Sequence, residues 1–138
     1  MQLSDFPIQS YDKIRYSDCD PQGHVNNVVF TTFMETGRCE LLAAGFGTAW
    51  QEAGSFIVIA RLELDFVGEI FWPGRVEIGT VVTKLGNSSL QLEQAVFQGE
   101  RLVAKAKSVL VHLGTDKRPA SLPESAREIF TKLMRPCA

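Results

Sequence analysis

The residues best suited to chemistry are concentrated in one stretch, DCDPQGHVNN, at positions 18–27. It combines two carboxylates with a histidine and lies directly before a long apolar segment. Pro21 fixes its own φ and Gly23 tolerates a positive φ, so the stretch predicts a loop. A carboxylate held close to a substrate carbonyl can activate water or attack the carbonyl carbon itself. The loop is therefore the first candidate for a catalytic site.

The segment after the loop predicts a long helix from Asn27 to about Ala44 that is apolar on most sides. Asn26 or Asn27 can cap its first turn by accepting a backbone N–H. That turn leaves N–H groups unpaired and carries a partial positive charge. Such a donor, aimed at an oxyanion in a dry site, contributes roughly 3–4 kcal/mol. Gly37 in mid-helix predicts close approach of a strand or of a partner backbone.

The rest of the chain predicts five strands and a short C-terminal helix. The glycine-containing links at 86–88 and 99–100 are short enough for hairpins, so the last three strands should be antiparallel neighbours. One antiparallel sheet wrapped around the long helix would cover that helix, which predicts an α+β fold with residues 1–138 as a single domain. The predicted strands are 6–16, 56–69, 75–85, 89–98 and 102–113, with a helical turn at 48–54 and a helix at 122–133.

The composition excludes several classes of function. The chain has 138 residues, 45% of them hydrophobic, and a formal net charge of -2, so no basic excess suits nucleic acid. Three cysteines without C-x-x-C spacing and two histidines make a structural zinc site improbable. No apolar run reaches the ~20 residues that span a bilayer, and the N-terminus lacks the features of a signal peptide. A cytoplasmic protein with free thiols is expected.

The loop and the order of elements together resemble the hot-dog fold, and the loop is similar to that of thioesterases of the 4-hydroxybenzoyl-CoA thioesterase type. The resemblance covers nearly the whole chain. It implies hydrolysis of an acyl-CoA or similar thioester, without metal or other cofactor. It implies Asp20 as the catalytic carboxylate and the backbone N–H of Asn27, seven residues later, as the oxyanion hole. It also implies a homodimer or homotetramer in which sheets join edge to edge.

Other polar residues near the site are expected to be structural. Asp18 should hold loop N–H groups or pair with Arg15. His24 is expected to be a hydrogen-bonded anchor, with general acid catalysis as the minority interpretation. Glu35 and Arg38 lie one turn apart and predict an intrahelical pair or a dimer contact. A catalytic role for Glu35 is kept as an alternative, because some hot-dog enzymes place a helix carboxylate in the site.

The substrate contacts are expected from the loop, the helix start and the second strand, and the predicted residues are His24, Val28, Phe30, Ile57 and Ile59. Cys39 is expected in the core. Candidates for contacts with CoA phosphates are Lys84, Lys105, Lys107, Lys117 and Arg118. The sequence does not distinguish a general-base route from an anhydride route. Two alternatives stay open: a hot-dog hydratase or dehydratase that uses Asp20 with His24, and a non-catalytic acyl-thioester binding module.

Overall fold

The computed structural model describes residues 1–48, 50, 54 and 56–134. Two helices and five strands make up the fold, together with short 3₁₀ turns at Leu3–Asp5 and Tyr16–Asp18. The helices are α1 (Asn27–Phe46) and α2 (Glu124–Lys132), and the strands are β1 (Ile8–Lys13), β2 (Phe56–Phe66), β3 (Arg75–Leu85), β4 (Ser89–Gln98) and β5 (Arg101–Leu113).

The strands form one sheet in the order β1-β3-β4-β5-β2, and every neighbouring pair is antiparallel. The predicted α+β arrangement and both hairpins are confirmed, and β3 and β4 have the predicted bounds. Strand β1 ends earlier than predicted, because the N–H of Ile14 already donates to the carbonyl of Gly74. Strand β2 also ends early, because the N–H groups of Val67 and Gly68 both turn to the carbonyl of Val103.

Helix α1 packs against one face of the sheet, and its other side is exposed. Phe33, Met34 and Leu41 are buried against the strands, whereas Val28 is 72% exposed. The prediction that the helix is covered on most sides is therefore wrong for the single chain. The prediction that Cys39 lies in the core is also wrong, because Cys39 is exposed on the side of α1 away from the sheet.

The close approach predicted at Gly37 is made by the sheet. A Cβ at Gly37 would lie only 2.7 Å from side-chain atoms of Gln94, Ile78 and Thr80. The Gln94 amide Nε2 donates to the carbonyl of Met34 at 2.9 Å and to Thr80 Oγ1 at 3.1 Å. The buried Gln94 amide thus joins β4 to the middle of α1. This hydrogen bond requires the helix backbone to lie close to the sheet.

The turn predicted at 48–54 lies largely outside the described residues, since 49 and 51–53 are not among them. The same holds for Cys137. Within the described part of the chain, no helix is both long and apolar enough to cross a membrane.

Replacing Gly37 with alanine should lower the free energy of unfolding by about 1–3 kcal/mol, because the new methyl group overpacks a closed interface. Alanine normally favours a helix by ~1 kcal/mol over glycine, so a loss of stability in this variant would have to come from the steric effect. Urea denaturation measures it. Thr32→Ala, at an exposed position of the same helix, is the matched control and should change stability by less than about 0.5 kcal/mol. A Gly37→Ala variant as stable as the wild type would contradict the packing described.

Candidate functional site

The loop before α1 is a tight reversal of the chain. The N–H of Asp20 donates to the carbonyl of His24 at 2.9 Å, and the N–H of Gly23 donates to the carbonyl of Asp20 at 3.0 Å. Cys19 and Val25 flank the reversal as an antiparallel bridge. Gly23 has a φ of 90°, which the turn requires and which glycine adopts without strain. The reversal brings the side chains of Asp20 and His24 to the same place.

The two oxygens of the Asp20 carboxylate have different neighbours. Oδ1 accepts the N–H of Gln22 at 2.9 Å, which closes an Asx turn. Oδ2 lies 3.4 Å from His24 Nδ1. The side chains of Asp20 and His24 are 21% and 22% exposed, so both are partly sheltered and still reachable from solvent.

The other ring nitrogen of His24 also faces oxygen atoms. Nε2 lies 3.2 Å from Gln22 Oε1 and 3.6 Å from Glu69 Oε1. His24 therefore contacts three neighbouring side chains, and its role as an anchor stays a prediction. Sequence reasoning missed Glu69, because it lies far from the loop in the chain and has no motif of its own.

Asn26 organises the start of α1. Its Oδ1 accepts the N–H of Val28 at 3.0 Å, and its carbonyl accepts the N–H of Val29 at 2.9 Å. The N–H of Asn27 has no acceptor among the described residues. The helix start thus presents one free donor together with the positive end of the helix dipole.

Asp18 is structural, as expected. Its Oδ2 accepts the backbone N–H of Arg15 at 2.8 Å, and its carbonyl accepts the N–H of Asn26 at 2.9 Å. The N–H of Val25 donates to the carbonyl of Ile70 at 2.8 Å, which ties the loop to the segment 67–74. These bonds fix the loop at both of its ends.

A cavity of about 420 Å³ adjoins Asp20. Two aromatic residues at its wall, Tyr16 and Trp72, are exposed and form an edge-to-face pair with ring centroids 5.2 Å apart. The volume is within the range of small-molecule sites. The lining residues are Tyr16, Cys19, Asp20, Pro21, Gly23 and Trp72, and sequence reasoning proposed neither aromatic residue for substrate binding.

The residues predicted to contact substrate lie in different environments. His24 is beside Asp20, and Val28 is exposed in the first turn of α1. Phe30 is only 2% exposed and packs edge-to-face on Phe66 with ring centroids 5.1 Å apart. Ile57 packs into the core near the end of α1, whereas Ile59 is exposed on β2. Within one chain, Phe30 is a core residue and Ile57 is partly buried against the core, and contact of either with substrate stays a prediction.

The lysines considered for CoA phosphates lie apart from the loop. Lys105 and Lys107 on β5 stand opposite Asp65 and Glu63 on β2, and with Glu93 these residues border a larger cavity of about 560 Å³. Three carboxylates against two lysines make this cavity unfavourable for phosphate. The other three candidates are exposed, in β3 or in the turn after β5, and they are Lys84, Lys117 and Arg118.

The charged residues of α1 interact without a close ion pair. Within the described residues no ion pair joins Glu35 to Arg38, and Arg38 Nη1 is buried without a hydrogen-bond partner. Burial lowers the pKa of Arg38, and the charge of Glu35 opposes that effect. Cys39 is exposed as a residue, but neighbouring atoms partly desolvate its thiol and raise the pKa of that thiol, and the charge of Glu35 raises it further. Cys39 is accordingly a weak nucleophile at neutral pH.

Among the residues that the structure describes, no three His, Cys, Asp or Glu side chains are grouped so that they could hold a metal.

Comparison with known proteins identifies the family. The profile of the thioesterase-like superfamily matches residues 14–130. Two chloroplastic acyl-acyl carrier protein thioesterases of Arabidopsis thaliana, ATL3 and ATL2, are 23% and 25% identical to the chain. These matches cover 89% and 86% of this chain, which spans about two thirds of the length of each relative, 67% and 65%.

Solved structures agree over the whole fold. A thioesterase of Thermus thermophilus, complexed with coenzyme A and zinc, is 38% identical with a TM-score of 0.86, and the match covers 98% of this chain and 100% of that one. A protein of Pseudomonas aeruginosa is 28% identical with a TM-score of 0.89, covering 99% and 98%. The chain therefore belongs to the thioesterase-like superfamily and has the hot-dog fold of its thioesterases.

Proposed function

We propose that the protein hydrolyses an acyl-CoA, or a related acyl-carrier thioester, to the free acid and the thiol. The observation that carries the proposal is the geometry of the loop, where the Asp20 carboxylate stands on a tight reversal just before a helix start with a free N–H at Asn27. Membership of the thioesterase-like superfamily supports thioester chemistry. The coenzyme A bound in the Thermus thermophilus structure supports an acyl-CoA substrate, and the similarity to Arabidopsis acyl-acyl carrier protein thioesterases supports an acyl-carrier thioester.

The chemistry assigns separate tasks to the carboxylate and to the helix start. Asp20 removes a proton from water, which then attacks the acyl carbon, or it attacks that carbon itself to form an anhydride that water opens. In both routes the carbonyl oxygen gains negative charge, and the N–H of Asn27 stabilises it together with the helix dipole. The carbon–sulfur bond then breaks, and the leaving thiolate takes up the proton that Asp20 removed from water in the first route, or a proton from solvent in the anhydride route.

Replacing Asp20 with asparagine should lower kcat for acyl-CoA hydrolysis by at least about a hundredfold, because the base or nucleophile is lost. The amide oxygen can still accept the N–H of Gln22, so the thermal unfolding midpoint should stay unchanged. Asp116→Asn is a matched control, since Asp116 Oδ1 accepts the N–H of Arg118 in an equivalent turn at 3.0 Å. Thiol release over a panel of short, long and aromatic acyl-CoA substrates measures both variants. Full turnover by Asp20→Asn would refute the assignment.

The contact between Asp20 and His24 favours a second candidate, a hydratase or dehydratase of enoyl or hydroxyacyl thioesters. Such enzymes use an aspartate with a histidine, and here the two side chains are 3.4 Å apart. Loss of enoyl absorbance without release of thiol would favour this reaction over hydrolysis. Tight binding of acyl-CoA with no turnover of any kind would instead indicate a binding module.

The free edge of the sheet supports assembly into a homodimer. Strand β2 lies at the edge of the sheet and exposes Ile59, Leu62 and Phe66. These three stand opposite Leu110, Ser108 and Ala104, all buried residues of the face that packs on α1. An uncovered edge with exposed apolar side chains is prone to pairing. A second copy that adds its own β2 would continue the sheet and cover this surface.

Replacing Ile59 with glutamate should convert a dimer into a monomer, because pairing would bury an unpaired charge. Light scattering after size-exclusion chromatography gives the mass directly. Ile129→Glu is the matched control, since Ile129 is an exposed isoleucine on α2, 37% exposed against 45% for Ile59. A monomeric wild type, or an Ile59→Glu variant that stays dimeric, would argue against pairing through β2.

The free thiols indicate the redox state of the cellular compartment. Cys19 and Cys39 are free cysteines. Free thiols are stable under the reducing conditions of the cytoplasm, and we infer that compartment for the protein.

A further inference from the structure

The imidazole of His24 lies between two carboxylates. Its Nδ1 is 3.4 Å from Asp20 Oδ2, and its Nε2 is 3.6 Å from Glu69 Oε1. Gln22 Oε1 also lies near Nε2, at 3.2 Å. Oxygen atoms thus face both ring nitrogens, and a ring that is contacted on both sides has a fixed orientation.

Glu69 is held in place by its backbone. Its carbonyl accepts Arg101 Nη1 at 2.9 Å. The next residue, Ile70, is fully buried and accepts the N–H of Val25 from the loop. The position of Glu69 relative to His24 is therefore set by contacts that do not involve the Glu69 carboxylate. A change in that carboxylate leaves these contacts intact.

The Asp20 carboxylate depends on this arrangement. Its Oδ1 is oriented by the N–H of Gln22, but its Oδ2 is faced by the His24 ring. If the ring rotated, the second oxygen would lose its contact and the carboxylate would lose part of its orientation. Catalytic groups require orientation within a few tenths of an ångström, so such a loss lowers the rate.

We propose that Glu69 is a positioning residue that orients the Asp20 carboxylate through the imidazole ring of His24. The inference depends on the proposed hydrolysis, in which Asp20 acts on the substrate. Within the described residues no hydrogen bond or ion pair joins Glu69 to Asp20, so Glu69 acts through the ring. Its side chain is 59% exposed, so the effect is modest, because exposed ion pairs contribute little.

The test is a double-mutant cycle of Glu69→Gln and His24→Gln, measured on the acyl-CoA that the wild type hydrolyses fastest. Glu69→Gln should lower kcat about two- to fivefold, as expected for one exposed pair, and leave KM and the unfolding midpoint unchanged. In the His24→Gln background the same change should have no further effect, because the ring that transmits it is gone. Glu100→Gln, an exposed carboxylate between β4 and β5, is the control and should leave kcat unchanged.

Nuclear magnetic resonance gives a readout that does not depend on turnover. The chain has two histidines, so the ring nitrogens of His24 can be assigned by comparison with His24→Gln. The Nε2 resonance should shift in Glu69→Gln and stay in place in Glu100→Gln. An unshifted Nε2 resonance, an unchanged kcat, a change in KM alone, or an equal loss of kcat with and without His24 would each overturn the positioning role.

The result for Asp20 separates this inference from the proposed function. If Asp20→Asn keeps full turnover, the hydrolytic assignment fails and the positioning role fails with it. If Asp20→Asn is inactive and Glu69→Gln behaves as the wild type, only the positioning role fails.

Discussion

The backbone hydrogen bond from Val25 to Ile70 joins the two segments on which the candidate site is built. Both residues are almost fully buried, and an unmade bond there would cost about 1–3 kcal/mol. The bond connects the loop before α1 to the segment between β2 and β3. Because of it, Asp20 and His24 from the loop share one rigid frame with Glu69 from the other segment. The start of α1 belongs to the same frame, since the loop leads directly into the helix.

The packing of α1 divides the molecule into a closed side and an open side. On the closed side, the missing side chain of Gly37 allows the Gln94 amide to reach the helix backbone. On the open side, β2 leaves apolar side chains uncovered next to the helix layer. Tight packing in the middle of the sheet fixes the helix, and the uncovered edge gives a second copy a surface to join. The chain forms its core alone, and the uncovered edge is where the proposed pairing of two copies would take place.

Local patterns explain most of what could be predicted. Strands β3 and β4 were predicted with their bounds because both are rich in apolar residues, which alternate with polar ones along β4, and because turns that contain glycine border them. The start of α1 was predicted because Asn26 is a strong cap. The ends of β1 and β2 were not, since they depend on hydrogen bonds to Gly74 and Val103, which lie far along the chain.

The spacing of residues in the sequence does not predict contacts between distant segments. It does not predict which surfaces stay free for other chains either. The approach of Glu69 to His24 is of this kind, as is the exposure of Cys39 on a helix that is apolar on most sides. Phe30 and Ile57 were predicted to contact the substrate, and in the single chain Phe30 lies in the core while Ile57 packs against it. An apolar residue can lie in the core, in a pocket or in an interface. Only its neighbours in the folded protein determine which of these it occupies.

Asp20 illustrates how a turn residue can also be suited to catalysis. An aspartate before a proline is most often an Asx-turn residue, and Asp20 does form that turn through Oδ1. Asp116 forms an equivalent turn with the N–H of Arg118, so turn geometry does not distinguish the two residues. What distinguishes Asp20 is its second oxygen, which faces a histidine just before a helix with a free N–H. One carboxylate can therefore form the turn and also serve the proposed hydrolysis. The bond from the Gln22 N–H orients the Asp20 side chain, and a catalytic group must be oriented.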